Sequence, residues 1–422
     1  MKKSGFGIPI PKKPPLPQKK QENELENNQN KIISDSPPLD NKLDDIENNI
    51  VDIDNENDSN VDSEEENDTI ADLNKIPLPS DLISPSSKLN EAFAKKYEPI
   101  DWHTAFQTTY NLETKINDID INIPIYISGN NGPNLVCLHG AGHSGLSFAP
   151  LALANKEYRI ISFDFPSHGY NTTKGINLSS ESLINQTILV LNYVNQTYNL
   201  DNIIVIGHSM GGAIATKTCE KILSNEKEYK DLYDKIMGLI VIDVVEGTAM
   251  DALPFMESIV NNRPRKFKTL EKGIEYMYKN GTIKNINSAR ISVPPLLELR
   301  DNFYYWKTNL MDSEKYWVEW FTGLTKSFLS CKIPKTLMLA GIERMDKELT
   351  IAQMQGKYKL SILRDVGHII HEDEPEKVMK IIDDFIKTFR ITPQLSQMKP
   401  VVGKLGDQHP ETPVLIKYDK YK

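Results

Sequence analysis

Five residues, Gly207-His208-Ser209-Met210-Gly211, constrain this chain more than any other stretch. An apolar run, Asn202-Ile-Ile-Val-Ile206, precedes them, and a small-residue segment beginning Gly211-Gly-Ala-Ile-Ala215 follows. A G-x-S-x-G sequence alone is weak, because glycine and serine are common. Between a strand and a helix it has a definite reading: the serine sits on a tight, strained turn where side chains at the flanking positions would clash. The helix start aims backbone N–H groups and a positive dipole end at any oxyanion that forms beside it. Ser209 is therefore the candidate nucleophile, and the chain must supply a sheet that ends in this turn.

The rest of the sequence supplies one. Residues 121–128, 134–140, 158–166, 202–209, 237–245, 335–341 and 358–366 read as strands. From 134 onward these runs are short and almost continuously apolar, as in parallel strands buried on both faces. Helical patterns lie between them, most clearly at 181–198, 210–223 and 374–389. Alternating strands and helices imply right-handed crossovers and a doubly wound, mostly parallel sheet. The architecture resembles the α/β-hydrolase fold. On that likeness the stretch from about 246 to 332 is a helical cap, which carries aromatic residues that read as exposed: Tyr304, Tyr305, Trp306, Tyr316, Trp317, Trp320 and Phe321.

Composition separates this body from its flanks. Residues 1–95 are rich in Asn, Asp, Glu, Pro and Ser and hold too little apolar surface to offset the entropy of folding, so they are expected to be disordered. Asp35 to Asp72 carries 15 acidic residues against one lysine, while the whole chain has a net charge of −9. The acidity thus belongs to the flank, and the folded part, 96–391, is close to neutral. Residues 392–422 read as a second disordered tail. There is no basic face to bind nucleic acid, no apolar run of the roughly 18 residues that span a membrane, and no apolar leader at the N-terminus. The three cysteines, Cys137, Cys219 and Cys331, suit a reducing, cytoplasmic or nuclear setting. No cofactor or metal is expected.

A serine nucleophile needs a base and an acid, which in this fold follow it in the order acid, then histidine. Of eight histidines only His368, His371 and His409 come after Ser209. His368 directly follows the last strand, where the base must emerge; His371 reads as a packing residue and His409 lies in the tail. Two places suit the acid: Glu343 and Asp346 follow the seventh strand, and Asp243 ends the sixth within Leu239-Ile-Val-Ile-Asp-Val-Val245. An aspartate in so apolar a run is costly to bury without a partner. That cost favours Asp243 without excluding Asp346. For the oxyanion hole the candidates are the backbone N–H groups of Met210 and of Ala141, in His139-Gly-Ala-Gly142.

Several stretches resemble the protein phosphatase methylesterase family: IGHSMGGAIA (206–215), IDVVEGTAMDALP (242–254), RPRKFKTLEKGIEY (263–276), SEKYWVEWFTGLTKSFLSCKIPK (313–335), LTIAQMQGKYK (349–359) and GHIIHEDEPEKV (367–378). The likeness implies a triad of Ser209, Asp243 and His368. It also implies removal of the methyl ester from the C-terminal leucine of the protein phosphatase 2A catalytic subunit, which would be the partner. Two departures are visible. The glycine-rich loop of many members is His139-Gly-Ala-Gly142 here, and Val293–Asn302 is short where some members insert an acidic stretch. Rival readings are an esterase or thioesterase acting on a small molecule or lipid, and a protein that sequesters the phosphatase.

Overall fold

The computed structural model describes residues 85–116, 118–341 and 345–391. Eight strands form one sheet: β1 (Thr108–Ile116), β2 (Ile119–Ser128), β3 (Asn134–Leu138), β4 (Arg159–Phe163), β5 (Ile203–His208), β6 (Ile236–Ile242), β10 (Lys335–Leu339) and β11 (Lys359–Ile362). Their order across the sheet is β1-β2-β4-β3-β5-β6-β10-β11. β1 pairs with β2 and β2 with β4 antiparallel; every other pair is parallel. The remaining strands, β7 (Lys266–Phe267), β8 (Leu297–Arg300) and β9 (Phe303–Trp306), form a small antiparallel sheet inside the cap.

Strand periodicity builds two cores from one set of apolar runs. Val136, Leu138, Val205, Leu239, Val241, Leu337 and Leu339 face one side, under the helices Ser180–Tyr198 and Met210–Ser224. Leu135, Cys137, Ile204, Ile206, Ile240, Ile242 and Met338 face the other, under Ala149–Ala154 and Pro375–Phe389. Most of these side chains are fully buried, each worth roughly 1.5–3 kcal/mol relative to exposure. The helix Ser180–Tyr198 starts where Ser179 Oγ accepts the Ser182 N–H and stops at Asn199, whose φ of 45° is left-handed. Parallel strands bring their C-terminal ends to one edge, and the loops after β3, β5, β6 and β11 open there together.

Four features differ from expectation. β1 was not anticipated. The cap holds a sheet as well as helices. The folded part begins before residue 96, because Pro85–Tyr97 is a helix. Its anchors are Phe93 and Tyr97: Tyr97 is buried and tilted against Tyr278, and Lys272 Nζ lies 4.3 Å from the Phe93 ring centre. The cap aromatics are less exposed than they read. Trp317, Trp320 and Phe321 are buried, and the Trp320 indole N–H donates to Leu178 O (2.7 Å), fastening the cap to the main body. The expectations for residues 1–84 and 392–422, and for Glu343, lie outside the described residues.

Candidate functional site

Ser209 occupies the turn between β5 and the helix Met210–Ser224 with φ 52° and ψ −122°, a conformation that costs about 1–3 kcal/mol for a non-glycine residue. The surroundings hold it there. A Cβ on Gly207 would meet Gly211 O at 2.2 Å, and one on Gly211 would meet Leu138 O at 2.3 Å, so neither position admits a side chain. The Ser209 N–H donates to Ile242 O (3.0 Å), which registers the turn against the end of β6.

Asp243 is the next residue along β6. Its backbone is also left-handed, with φ 49°, and its carboxylate is fully buried. Oδ1 accepts the Ala340 N–H (2.9 Å), and Oδ2 lies 2.8 Å from His368 Nδ1. The His368 side chain is half-exposed, at 48%. Its ring lies 4.7 Å from that of His208, the residue before Ser209. Distant stretches of the chain thus come together at one edge of the sheet: Asp243 contacts His368, and Ser209 is tied through its backbone to Ile242, the residue before Asp243. Asp346 takes no part in this arrangement. Its Oδ1 caps the helix Lys347–Met354 by accepting the Leu349 N–H (2.8 Å), and its Oδ2 accepts from Thr325 Oγ1 (2.8 Å).

The oxyanion candidates flank Ser209. Met210 is the first residue of its helix, so its N–H has no intrahelical acceptor. Ala141 is followed by two committed donors: the Gly142 N–H donates to His168 Nε2 (3.0 Å) and the His143 N–H to Gly140 O (3.2 Å). Histidines shape this loop. His139 Nε2 accepts the Phe165 N–H (3.0 Å), so its Nδ1 carries the proton and donates to Gly140 O (2.8 Å). His139 thereby ties this loop to the turn that begins at Asp164. Asp164 accepts from Gly145 N, Tyr126 Oη and Tyr170 N, and burial nonetheless raises its carboxyl to about 6.

Sequence reasoning missed how many imidazoles gather here. His139, His143, His168, His208 and His371 are all pushed toward the neutral form, above all by burial. His371 stacks on Phe148 with ring centres 4.4 Å apart, a packing role, as expected. In the cap, Arg265, Lys266 and Lys268 are exposed, whereas Arg263 is drawn inward and stacks over Trp306 at 4.9 Å. Among the described residues no cluster of His, Cys, Asp or Glu is arranged to hold a metal ion, and no helix is long and apolar enough to cross a membrane.

Comparison with known proteins agrees with this fold. Residues 135–381 match the α/β hydrolase family. Protein phosphatase methylesterase 1 of Homo sapiens is 36% identical over 362 residues, covering 74% of this chain and 91% of the human protein. Its counterpart in Emericella nidulans is 38% identical over 310 residues, 67% of this chain and 74% of that one. Among solved structures, an E-2-(acetamidomethylene)succinate hydrolase superposes with a TM-score of 0.53 at 17% identity. It covers 66% of this chain and all of the hydrolase. At that identity the likeness speaks for the fold.

Proposed function

Since the chain belongs to the protein phosphatase methylesterase family of α/β hydrolases, we propose that it demethylates the C-terminal leucine methyl ester of the protein phosphatase 2A catalytic subunit. Ser209, His368 and Asp243 would be its nucleophile, base and acid. The observation that carries this reading is the buried Asp243 carboxylate 2.8 Å from His368 Nδ1, beside a serine on a strained turn. With Nδ1–H donating to Asp243, the free lone pair of the imidazole is on Nε2, the nitrogen that takes the Ser209 hydroxyl proton. Ser209 Oγ then attacks the leucyl carbonyl carbon. The Ala141 and Met210 N–H groups stabilise the oxyanion, His368 returns its proton to the departing methoxide, and methanol leaves. Water, deprotonated by His368, attacks the acyl-enzyme and releases the leucine carboxylate together with Ser209.

A cytoplasmic or nuclear location belongs to the same reading, and is supported by three cysteines that are free and buried. The test is to offer the purified protein a methylated phosphatase 2A catalytic subunit and follow methanol release, with Ser209→Ala as control. Loss of the methyl group with wild-type protein, and none with the variant, is expected. No release by the wild-type protein, or undiminished release by the variant, would overturn the assignment.

A further inference from the structure

Two side chains that the steps above do not use hold the backbone on either side of His368. His208 Nε2 lies 3.0 Å from the His368 carbonyl oxygen. Only the nitrogen can donate in that pair, so His208 carries its proton on Nε2 and leaves Nδ1 bare. The ring is 1% exposed. Burial, with the imidazoles of His368, His371 and His143 around it, holds its pKa well below the ordinary histidine value. On the other side, Asp373 Oδ2 accepts the Gly367 N–H (2.5 Å) while Oδ1 accepts the Lys284 N–H (2.7 Å). Between the end of β11 at Ile362 and the helix that starts at Ile370 there is no regular element to do this work. The loop also contains Asp365 with φ 64°.

We infer that His208 and Asp373 are positioning residues for the base, a two-point clamp on the Val366–Gly367 and His368–Ile369 peptides that keeps its Nε2 aimed at Ser209. The inference rests on the assignment of His368 as base. Asp243 orients the imidazole about its own bonds, but a half-exposed side chain on an irregular loop also needs its main chain fixed. A histidine suits the first position for a physical reason. It reaches the carbonyl with an N–H donor while remaining neutral, whereas lysine or arginine would place a permanent cation beside the imidazolium that His368 must become. Displacing a reacting group by about 1 Å costs on the order of 10² in rate. Neither clamp residue is assigned a contact with substrate, so the loss falls on kcat and leaves KM.

The experiment measures kcat and KM on a small activated ester for His208→Phe, His208→Gln and Asp373→Asn in the full chain, with melting temperatures alongside. His208→Phe keeps a ring but loses the donor, and kcat should fall about 10- to 100-fold with KM within about twofold. His208→Gln, whose amide N–H reaches the same carbonyl, should recover most of that loss. Wild-type kcat in His208→Phe would overturn the clamp. So would equally slow Phe and Gln variants that melt like the parent, since ring packing would then be the cause. Asp373→Asn is the independent arm if the Phe variant does not fold: a loss confined to kcat supports the clamp, and undiminished kcat overturns it. A wild-type chain that turns over no ester would instead sink the assignment of His368, which keeps the two failures apart.

Discussion

Asp243→Asn tests the acid, and its size can be worked from the site. Among the described residues, the buried carboxylate accepts the Ala340 N–H on Oδ1 and His368 Nδ1–H on Oδ2. Asparagine has one oxygen and one NH₂ for the two places. Turning the NH₂ toward Ala340 would set two donors against each other and leave a buried N–H unpaired, at a cost of about 1–3 kcal/mol. The oxygen therefore stays with Ala340 and the NH₂ faces His368. It then donates to a bare Nδ1, the imidazole carries its proton on Nε2, and the nitrogen that must accept from Ser209 is blocked. The wrong tautomer also loses the carboxylate that supports the imidazolium. Such a change costs up to about 10⁴ in kcat, which is about 5.4 kcal/mol of activation free energy. Turnover of a small ester, measured beside a thermal melt, separates this from unfolding. Asp346→Asn is the control: asparagine caps a helix about as well as aspartate, so stability should change little and activity should stay near normal. A large loss of activity in Asp346→Asn and a small one in Asp243→Asn would refute the reasoning.

Gly140→Ala would place a Cβ 2.8 Å from His208 Nδ1 and 3.3 Å from Ser209 Cβ. The displaced loop takes the Ala141 N–H with it, and kcat should fall by about 10²–10³, the usual effect of losing an oxyanion donor; unchanged turnover would clear Ala141 of that role. Acid should destabilise the fold. His139, His143, His168, His208 and His371 are held below the unfolded value of about 6.5, with His143 near 3 and His168 near 4. Their contribution is complete above pH 6.5 and is lost as pH falls from there toward those values. The acids raised by burial, Glu372, Asp164 and Asp373, act in the opposite sense. Five histidines outnumber three acids, so unfolding near pH 5.5 should take up protons in net; urea midpoints that stay level between pH 7.5 and 5.5 would contradict it. Arg265 and Lys266 are exposed on the cap. Reversing both to Glu should slow demethylation of the intact phosphatase while sparing a small ester, with the gap narrowing as salt rises; equal effects on both substrates would point to a damaged cap.

The main sheet was legible because its central strands are buried on both faces, so continuous apolar runs mark them without help from the rest of the chain. β1 escaped for the opposite reason. It is an edge strand paired on one side only, and of Thr108–Lys115 only Leu112 is fully buried. Two to four residues long and carrying Lys266, Glu298 and Arg300, the cap strands are too short and too polar for alternation to stand out. The helix Pro85–Tyr97 shares the polar composition of the flank before it; only Phe93 and Tyr97 hinted at a docking face, and the surface that receives them lies almost two hundred residues later.

Within the site, legibility followed whether a residue's role is local. Ser209 was readable because the turn that strains it is built from its own neighbours. Asp346 was readable too, had its local signal been used: an aspartate directly before the helical run Lys347–Met354 is an N-cap by chemistry. That signal would have removed it as a rival to Asp243 without any family likeness. His208 is different. It fills the variable position of G-x-S-x-G, where the motif asks for nothing, and its partner is the carbonyl of a residue 160 positions away. No spacing predicts that contact, because it exists only once β5 and the loop after β11 reach the same edge of the sheet. The same holds for Asp373, an acidic residue in an acidic stretch until Gly367 and Lys284 converge on its two oxygens. Nucleophile, acid and base carry types that chemistry restricts, so they can be sought in a sequence. The groups that aim them need only be donors or acceptors in the right place, which the fold alone decides.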